Sequence, residues 1–399
     1  MRIGERGPYE QSAVRRASAT AIAKTWPAAT FDEIFERLSE IDRDASMLEL
    51  TAGVDSRLVL AMLLRVGVTP RRAFTIGMDG SDDVRVAKEL SRVTGIEHLT
   101  IAASVDNVTA QDAAEFVGHT GWRVNTCSYA WLPSVFRELE PLRNAQITGA
   151  GGELAGGFYY SPLDRFIRSL PISRWRRYRL EKPGNQARQL IRAPLLRAAL
   201  HEADCHLSEL LGCRREPIHS ALDRLYFEER MRNWALPVLD ASRQWYHVIA
   251  PFFSQAYMDW STCLVPAQSP LRSGQIELIR QFAPQLLDIP FGSLDASRRP
   301  SPSSKLARKI TRRIMGRRGS GDLLAAQTAE LLCRAPEMVD RLSQLAVELK
   351  DAMRQDVMEQ MMRDPANYPH ELGALMTAAN AAYAGDSLGP RTSTGHASA

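Results

Sequence analysis

The chain has 399 residues, 45% of them hydrophobic and 24% charged, with a formal net charge of +4. That is enough to bury a large core in one big domain or two ordinary ones, and it excludes a disordered or fibrous protein. Much of the basic excess sits in one stretch, "SRRPSPSSKLARKITRRIMGRRG" at 297–319, so the charge gives no support to a nucleic-acid partner.

Residues 1–45 read as a helical lead, with Ile34, Leu38 and Ile41 at helical spacing. "MLEL" at 47–50 is a strand, and "SRLVLAMLLRVG" is a helix closed by Gly67. A second strand spans 72–78. A helix over 83–95 starts at Asp83, aligns Val86, Leu90 and Val93 on one face, and stops at Gly95. A third strand spans 97–103, and "AQITGAGGELAGG" at 145–157 is a strand running into a glycine-rich turn. Strands alternating with helices of this length predict an α/β fold with a doubly wound parallel sheet. Ligands of such sheets bind beyond the carboxyl ends of the strands. The turns after Leu50 and Ile147 are therefore expected to face one crevice.

Downstream, 161–245 is helical and Arg-rich, a helical subdomain. Its most basic part, 174–192, reads as a solvated face or a surface for an anionic partner. A sheet domain over 46–295 is followed by a basic linker (296–320), a helical extension (321–385) and a small polar tail (386–399) expected to be disordered. Within the extension, the amphipathic stretch 323–363 is expected to dock on the core or to form a homodimer. No run of 18 apolar residues predicts a membrane span. The first 25 residues lack the apolar core of a signal peptide. The five cysteines form no CxxC pair, which predicts free thiols in a reducing cytoplasm.

The first turn, "LTAGVDSR", carries the chemistry. A tight strand-to-helix turn aims backbone N–H groups and the positive end of a helix outward, and small residues let a polyphosphate come close. There is no P-loop lysine. An acid within such a loop is compatible with phosphate when Mg²⁺ bridges the two, which calls for a second acid nearby. Glu153, in the other glycine-rich turn, supplies it. Composition alone leaves a purely structural turn open.

Three motifs then carry a resemblance. "LTAGVDSR" resembles the SGGxDS pyrophosphate loop of N-type ATP pyrophosphatases, specifically the synthetase domain of asparagine synthetases. "DVRVAKELSRVTGIEH" at 83–98 resembles that family's next helix and turn. "TGAGGELAGGF" at 148–158 resembles its SGEGxDExFGGY turn with one residue fewer, and "APFFSQAY" its R-x-P-F-L-D segment. β-Lactam synthetases and lasso-peptide cyclases are related. The resemblance covers 47–291 and implies a HUP-like fold and a reaction in which ATP adenylates a carboxylate, pyrophosphate leaves, and an amine or ammonia attacks to form an amide. It implies that Thr51, Ala52, Gly53, Asp55 and Ser56 line the pyrophosphate loop. Asp55 and Glu153 would hold Mg²⁺, and Ile76 with Thr148 and Gly149 would flank the adenosine.

Four departures stand out. Ala52 replaces a glycine and loses easy access to positive φ. Ala150 stands where asparagine synthetases carry Glu and β-lactam synthetases Tyr, a residue associated with proton removal from the amine. The family's late lysine has no clear counterpart; Arg272 is nearest by position, while Lys305 and Lys309 fall in the basic linker. No glutaminase domain precedes the loop, so the expected acceptor is an amine, or ammonia from a separate amidotransferase, and the acid is a small molecule or a peptide, with a carrier protein as a further expected partner. Tyr159 and Tyr160 are expected to pack at the sheet edge and His98 to be structural; Arg123 and Asn125 are read as either loop or acceptor-facing residues. Two other readings remain: adenylation of a non-carboxylate such as a tRNA base, and a nucleotide- or partner-binding protein without turnover.

Overall fold

The computed structural model describes residues 31–142, 144–160, 171–181, 187–212, 217–264, 273–292 and 320–387. In chain order the first half runs α1 (Asp32–Ser39), β1 (Ser46–Glu49), α2 (Val54–Arg65), β2 (Arg72–Ile76), α3 (Asp82–Thr94), β3 (Glu97–Ile101), α4 (Ala110–His119), α5 (Thr126–Tyr129), α6 (Leu132–Leu139) and β4 (Ala145–Ile147). A helical stretch follows: α7 (Ile172–Arg179), α8 (Ala187–Leu190), α9 (Ala193–Gly212), α10 (Ile218–Leu225), a π-helix (Tyr226–Ala235) and α11 (Leu236–Ser242). The chain then adds β5 (His247–Ile249), α12 (Gln255–Cys263) and α13 (Ser273–Phe282), and ends in α14 (Ser320–Leu332), α15 (Pro336–Glu348), α16 (Gln355–Arg363) and α17 (Pro369–Ser387).

The five strands form one sheet in the order β3-β2-β1-β4-β5, all parallel. β5 escaped the sequence reading because three residues are too few to show a period. Successive strands step one way from β1 and the other way from β4. The order therefore reverses between β1 and β4, where Leu48 lies opposite Ile147. That reversal opens the crevice in which doubly wound sheets bind ligands. The expectation that the turns after Leu50 and Ile147 share a crevice agrees with this topology.

α2 is apolar on all sides, and Leu58 to Leu63 are fully buried between the sheet, α1 and α13. A helix apolar all round has to be enclosed, and burial of each large side chain contributes roughly 1.5–3 kcal/mol. The opposite sheet face packs Met47, Phe74 and Ile101 against Val135 and Leu139 of α6. Gly67 and Gly95 adopt positive φ just after α2 and α3, as the sequence predicts. The start of α3 differs: its cap is Ser81, whose hydroxyl accepts from the Val84 N–H, so Asp83 is free for another task.

The stretch 323–363 is not one helix. Pro336 starts α15, and a break before Gln355 starts α16. α14 and α17 dock on α5, α17 also reaches α4, and α15 and α16 pack on α17, in one core that includes Cys127, Leu342 and Met376. The Thr126 N–H donates to the Thr377 hydroxyl at 3.1 Å, and the Asn125 amide donates to the His370 carbonyl at 2.7 Å. Asn125 is thus a structural residue.

Two further expectations change. Arg176 in the basic segment is buried, donates to Asp204 at 2.5 Å and also pairs with Glu181, which Arg188 joins. This network ties α7 to α9 where a solvated face was expected. Tyr160 donates to Asp223 at 2.7 Å and packs, with Tyr159, against the helical core around Trp175 and Leu222, away from the sheet edge. Cys127, Cys205, Cys263 and Cys333 are free, Cys127 buried and Cys205 exposed. No helix among the described residues is long and apolar enough to cross a membrane.

His98 is built into the sheet. The Thr75 hydroxyl donates to the Leu50 carbonyl at 2.5 Å, so it accepts from His98 Nε2 at 2.8 Å. Nε2 therefore carries the proton, and the buried Nδ1 has no partner. Burial, and then the charge of Lys88, lower the imidazole pKa. Below its ordinary value of about 6.5 the unfolded chain binds a proton that the folded chain refuses, so stability falls as pH falls. Thermal denaturation between pH 7.5 and 5.5 should show a steeper acid loss in the native chain than in His98→Gln, which keeps a donor for Thr75; equal slopes would rule this out.

Candidate active site

The first turn is held from within and from outside. The Thr51 N–H donates to Ser56 Oγ at 3.1 Å, the two hydroxyls lie 3.0 Å apart, and the Gly53 N–H donates to Thr51 Oγ1 at 3.2 Å. Outside support comes from Asp83, which accepts from the Ala52 N–H at 3.0 Å. That bond explains why an acid recurs in the second motif: it braces the loop from the neighbouring helix. Ala52 keeps φ negative, so the expected cost of losing glycine there does not arise in this loop.

The second turn is pressed against the first. A Cβ on Gly149 would lie 2.8 Å from the Ser56 nitrogen. Gly151 has φ 90° and stacks on Phe253. Gly152 lies directly under the Asp55 carboxylate. Gly149→Ala should therefore push the two turns apart and reduce nucleotide affinity by about tenfold or more, with a smaller loss of stability; calorimetric titration with ATP checks it, and native affinity would contradict the packing argument.

Asp55 sits in the first turn of α2, where helix polarity favours a carboxylate. Its Oδ1 accepts from Gln275 Nε2 at 2.5 Å, and the same amide lies 3.2 Å from the Gly152 carbonyl and 3.1 Å from the Tyr257 hydroxyl. Glu153 accepts from the Tyr226 hydroxyl at 3.1 Å. Burial, then the Glu153 charge, push the Tyr226 phenol above its usual range, and Asp55 adds to the rise. Of the two carboxylates, Glu153 is the one held by the Tyr226 hydroxyl, while Asp55 is held by Gln275. Two hard oxygen donors beside a phosphate-sized, amide-lined turn suit Mg²⁺, which takes one or two carboxylates plus phosphate oxygens.

The remaining predicted residues fall around this centre. Thr148 is buried, and its hydroxyl donates to Glu49 Oε2 at 2.7 Å, an oxygen shared with the Gln146 amide at 3.0 Å. Ile76 ends β2 and packs on the α6 face of the sheet. Ala150 has no titratable group, and its N–H donates to Thr148 Oγ1 at 3.3 Å. Arg272, Lys305 and Lys309 lie outside the described residues.

Sequence reasoning missed Arg57, Glu49, Gln275, Tyr226 and Arg230. Arg57 is fully buried and donates to the carbonyls of Leu286 (2.9 Å), Ile289 (2.5 Å) and Pro290 (3.1 Å), with its guanidinium 3.9 Å above the Phe291 ring. The signal was present, since an arginine inside an otherwise apolar helix needs a special partner. A cavity of about 770 Å³ includes neither acid: it opens on the β5 side, lined by Val248, Ile249, Pro251, Phe253, Arg123 and Arg232. Arg123 thus faces this side cavity.

A five-stranded parallel sheet flanked by helices, with two glycine-rich turns meeting at its switch point, is the architecture of an α/β domain that binds its ligand at that edge. The family described as Asparagine synthase matches residues 42–288. The chain belongs to that family, whose members are ATP-dependent amide-forming synthetases. No curated protein matches the chain.

Proposed function

We propose that this chain activates a carboxylate with ATP, releases pyrophosphate and passes the acyl group to an amine or to supplied ammonia, in a specialised-metabolite, peptide-tailoring or glycan pathway. The observation that carries the reading is the close apposition of the two turns that carry Asp55 and Glu153, with Gly149 against Ser56 and Gly152 against the Asp55 carboxylate. The N–H groups of Thr51, Ala52 and Gly53 hold the turn itself in shape, and those at the start of α2 would receive the departing pyrophosphate. Asp55 and Glu153 would hold Mg²⁺, which when bound supplies charge neutralisation to the phosphates. Gln275 orients Asp55, and Tyr226, kept protonated, orients Glu153. Ile76, Thr148 and Gly149 would flank the adenosine, with the Thr148 side chain committed to Glu49. Arg272 is the positional candidate for stabilising the activated acyl group. With Ala150 unable to take a proton, the incoming amine arrives neutral or gives its proton to a group outside that turn.

The test is pyrophosphate release by the purified full chain with Mg·ATP across a panel of carboxylates, with and without amines. Carboxylate-dependent release supports the reading. ATP binding without release on any acid favours a binding protein without turnover, and no ATP binding overturns both.

A further inference from the structure

We propose that Arg230 is the residue that receives the carboxylate of the acid substrate, in an aromatic-walled subsite beside Glu153. This deepens the synthetase reading and rests on it. Arg230 lies in the π-helix Tyr226–Ala235, and such segments are rare and favour functional sites. Its guanidinium lies 4.2 Å from the centroid of the Phe158 ring and 4.2 Å from that of the Trp234 ring. Among the described residues it forms no ion pair, and its Nε is buried without a hydrogen-bond partner.

Arg230 is half-buried, and a partly desolvated cation without a carboxylate is left uncompensated. Each cation–π contact returns only about 0.5–2 kcal/mol. Ring contacts place this cation near Glu153: the Phe158 ring that Arg230 covers lies 5.4 Å from the Tyr226 ring, and the Tyr226 hydroxyl donates to Glu153 at 3.1 Å. Tyr159, raised mainly by burial, is drawn back by the Arg230 charge and a hydrogen bond from it. Arg230 and Glu153 are therefore linked through the Phe158–Tyr226 ring pair, beside which a negative ligand would complete the charge pattern. Phe158, 42% exposed in the turn just after Glu153, provides an apolar wall open to solvent. A planar guanidinium fixed against two rings presents its remaining N–H groups along one edge, the geometry that binds a carboxylate with two parallel hydrogen bonds. The ligand class is a carboxylic acid with an apolar or aromatic body.

The test measures binding of benzoate, hippurate and N-acetyl dipeptide acids to the full chain, each beside its primary amide, by calorimetry with Mg·ATP present and absent. At least one acid should bind at least about tenfold more tightly than its amide. Arg230→Met should erase that preference, Arg230→Lys should keep part of it, and Mg·ATP affinity should stay within about twofold in both. A melting curve for each variant identifies loss of fold, and Arg230→Lys carries the test should Arg230→Met unfold. Equal affinity for acid and amide in the native chain, or a preference that survives Arg230→Met, overturns the proposal. Loss of ATP binding in the native chain alone would strike the synthetase reading and leave the acid preference at Arg230 standing.

Discussion

Replacing Arg57 by methionine is expected to lower the melting temperature by about 6–12 °C, the consequence of losing about 3 kcal/mol or more. The estimate follows from what the side chain holds. Three carbonyls from Leu286 to Pro290 depend on one guanidinium, and methionine fills the volume without donating to any of them. Each buried acceptor left alone costs about 1–3 kcal/mol, and partial rehydration of the strap reduces the sum. Lysine is no remedy, because a single ammonium cannot span three acceptors in the plane of a fork. The effect should reach the site, since Gly292, just past the strap, lies against Ala52. Thermal denaturation followed by circular dichroism reads the result, and a shift under about 2 °C would mean that the strap is held by other contacts.

Asp55→Asn is expected to abolish Mg²⁺-dependent ATP binding and to lower pyrophosphate release by about a hundredfold or more while leaving the fold intact. The asparagine oxygen still accepts from Gln275, so packing against Gly152 is preserved and only the charge is removed. A chain that melts normally and binds ATP only without dependence on Mg²⁺ is the expected phenotype. Glu153→Gln should act in the same direction more weakly, raising the Mg²⁺ concentration needed for half-maximal binding, because Tyr226 can still donate to an amide oxygen. Native Mg²⁺ titrations for both variants would remove the two acids from the metal site.

The two turns, the strands leading into them and the caps of their helices were legible because they are local. Hydrophobic period, glycine placement and the order of three motifs lie within 110 residues of one another, and the structure keeps that order. What the sequence hid is long-range. Gln275 reaches Asp55 across 220 positions, and Arg57 reaches Pro290 across 233. A short strand such as β5 shows no period, and a π-helix has the same composition as an α-helix. Asp83 was legible as an acid at a helix start, where the structure has it, but its partner, the Ala52 N–H, lies in another turn that local sequence does not reveal. The buried Arg176 network shows the same limit, since a run of arginines reads as solvated until its acids on α9 are placed beside it.

The span of the Arg57 clamp has a consequence for how the chain is made. Synthesis at about 5–20 residues per second leaves on the order of 10 to 50 seconds between the appearance of Arg57 and that of Pro290. During that interval α2 has neither its strap nor α13 to cover it, although its side chains from Leu58 to Leu63 end with no exposure at all. The nascent protein therefore carries uncovered a helix that ends fully enclosed while much of the polypeptide is still to be translated, and the Thr51–Ser56 turn reaches its final form only after the ribosome has passed the end of the sheet domain.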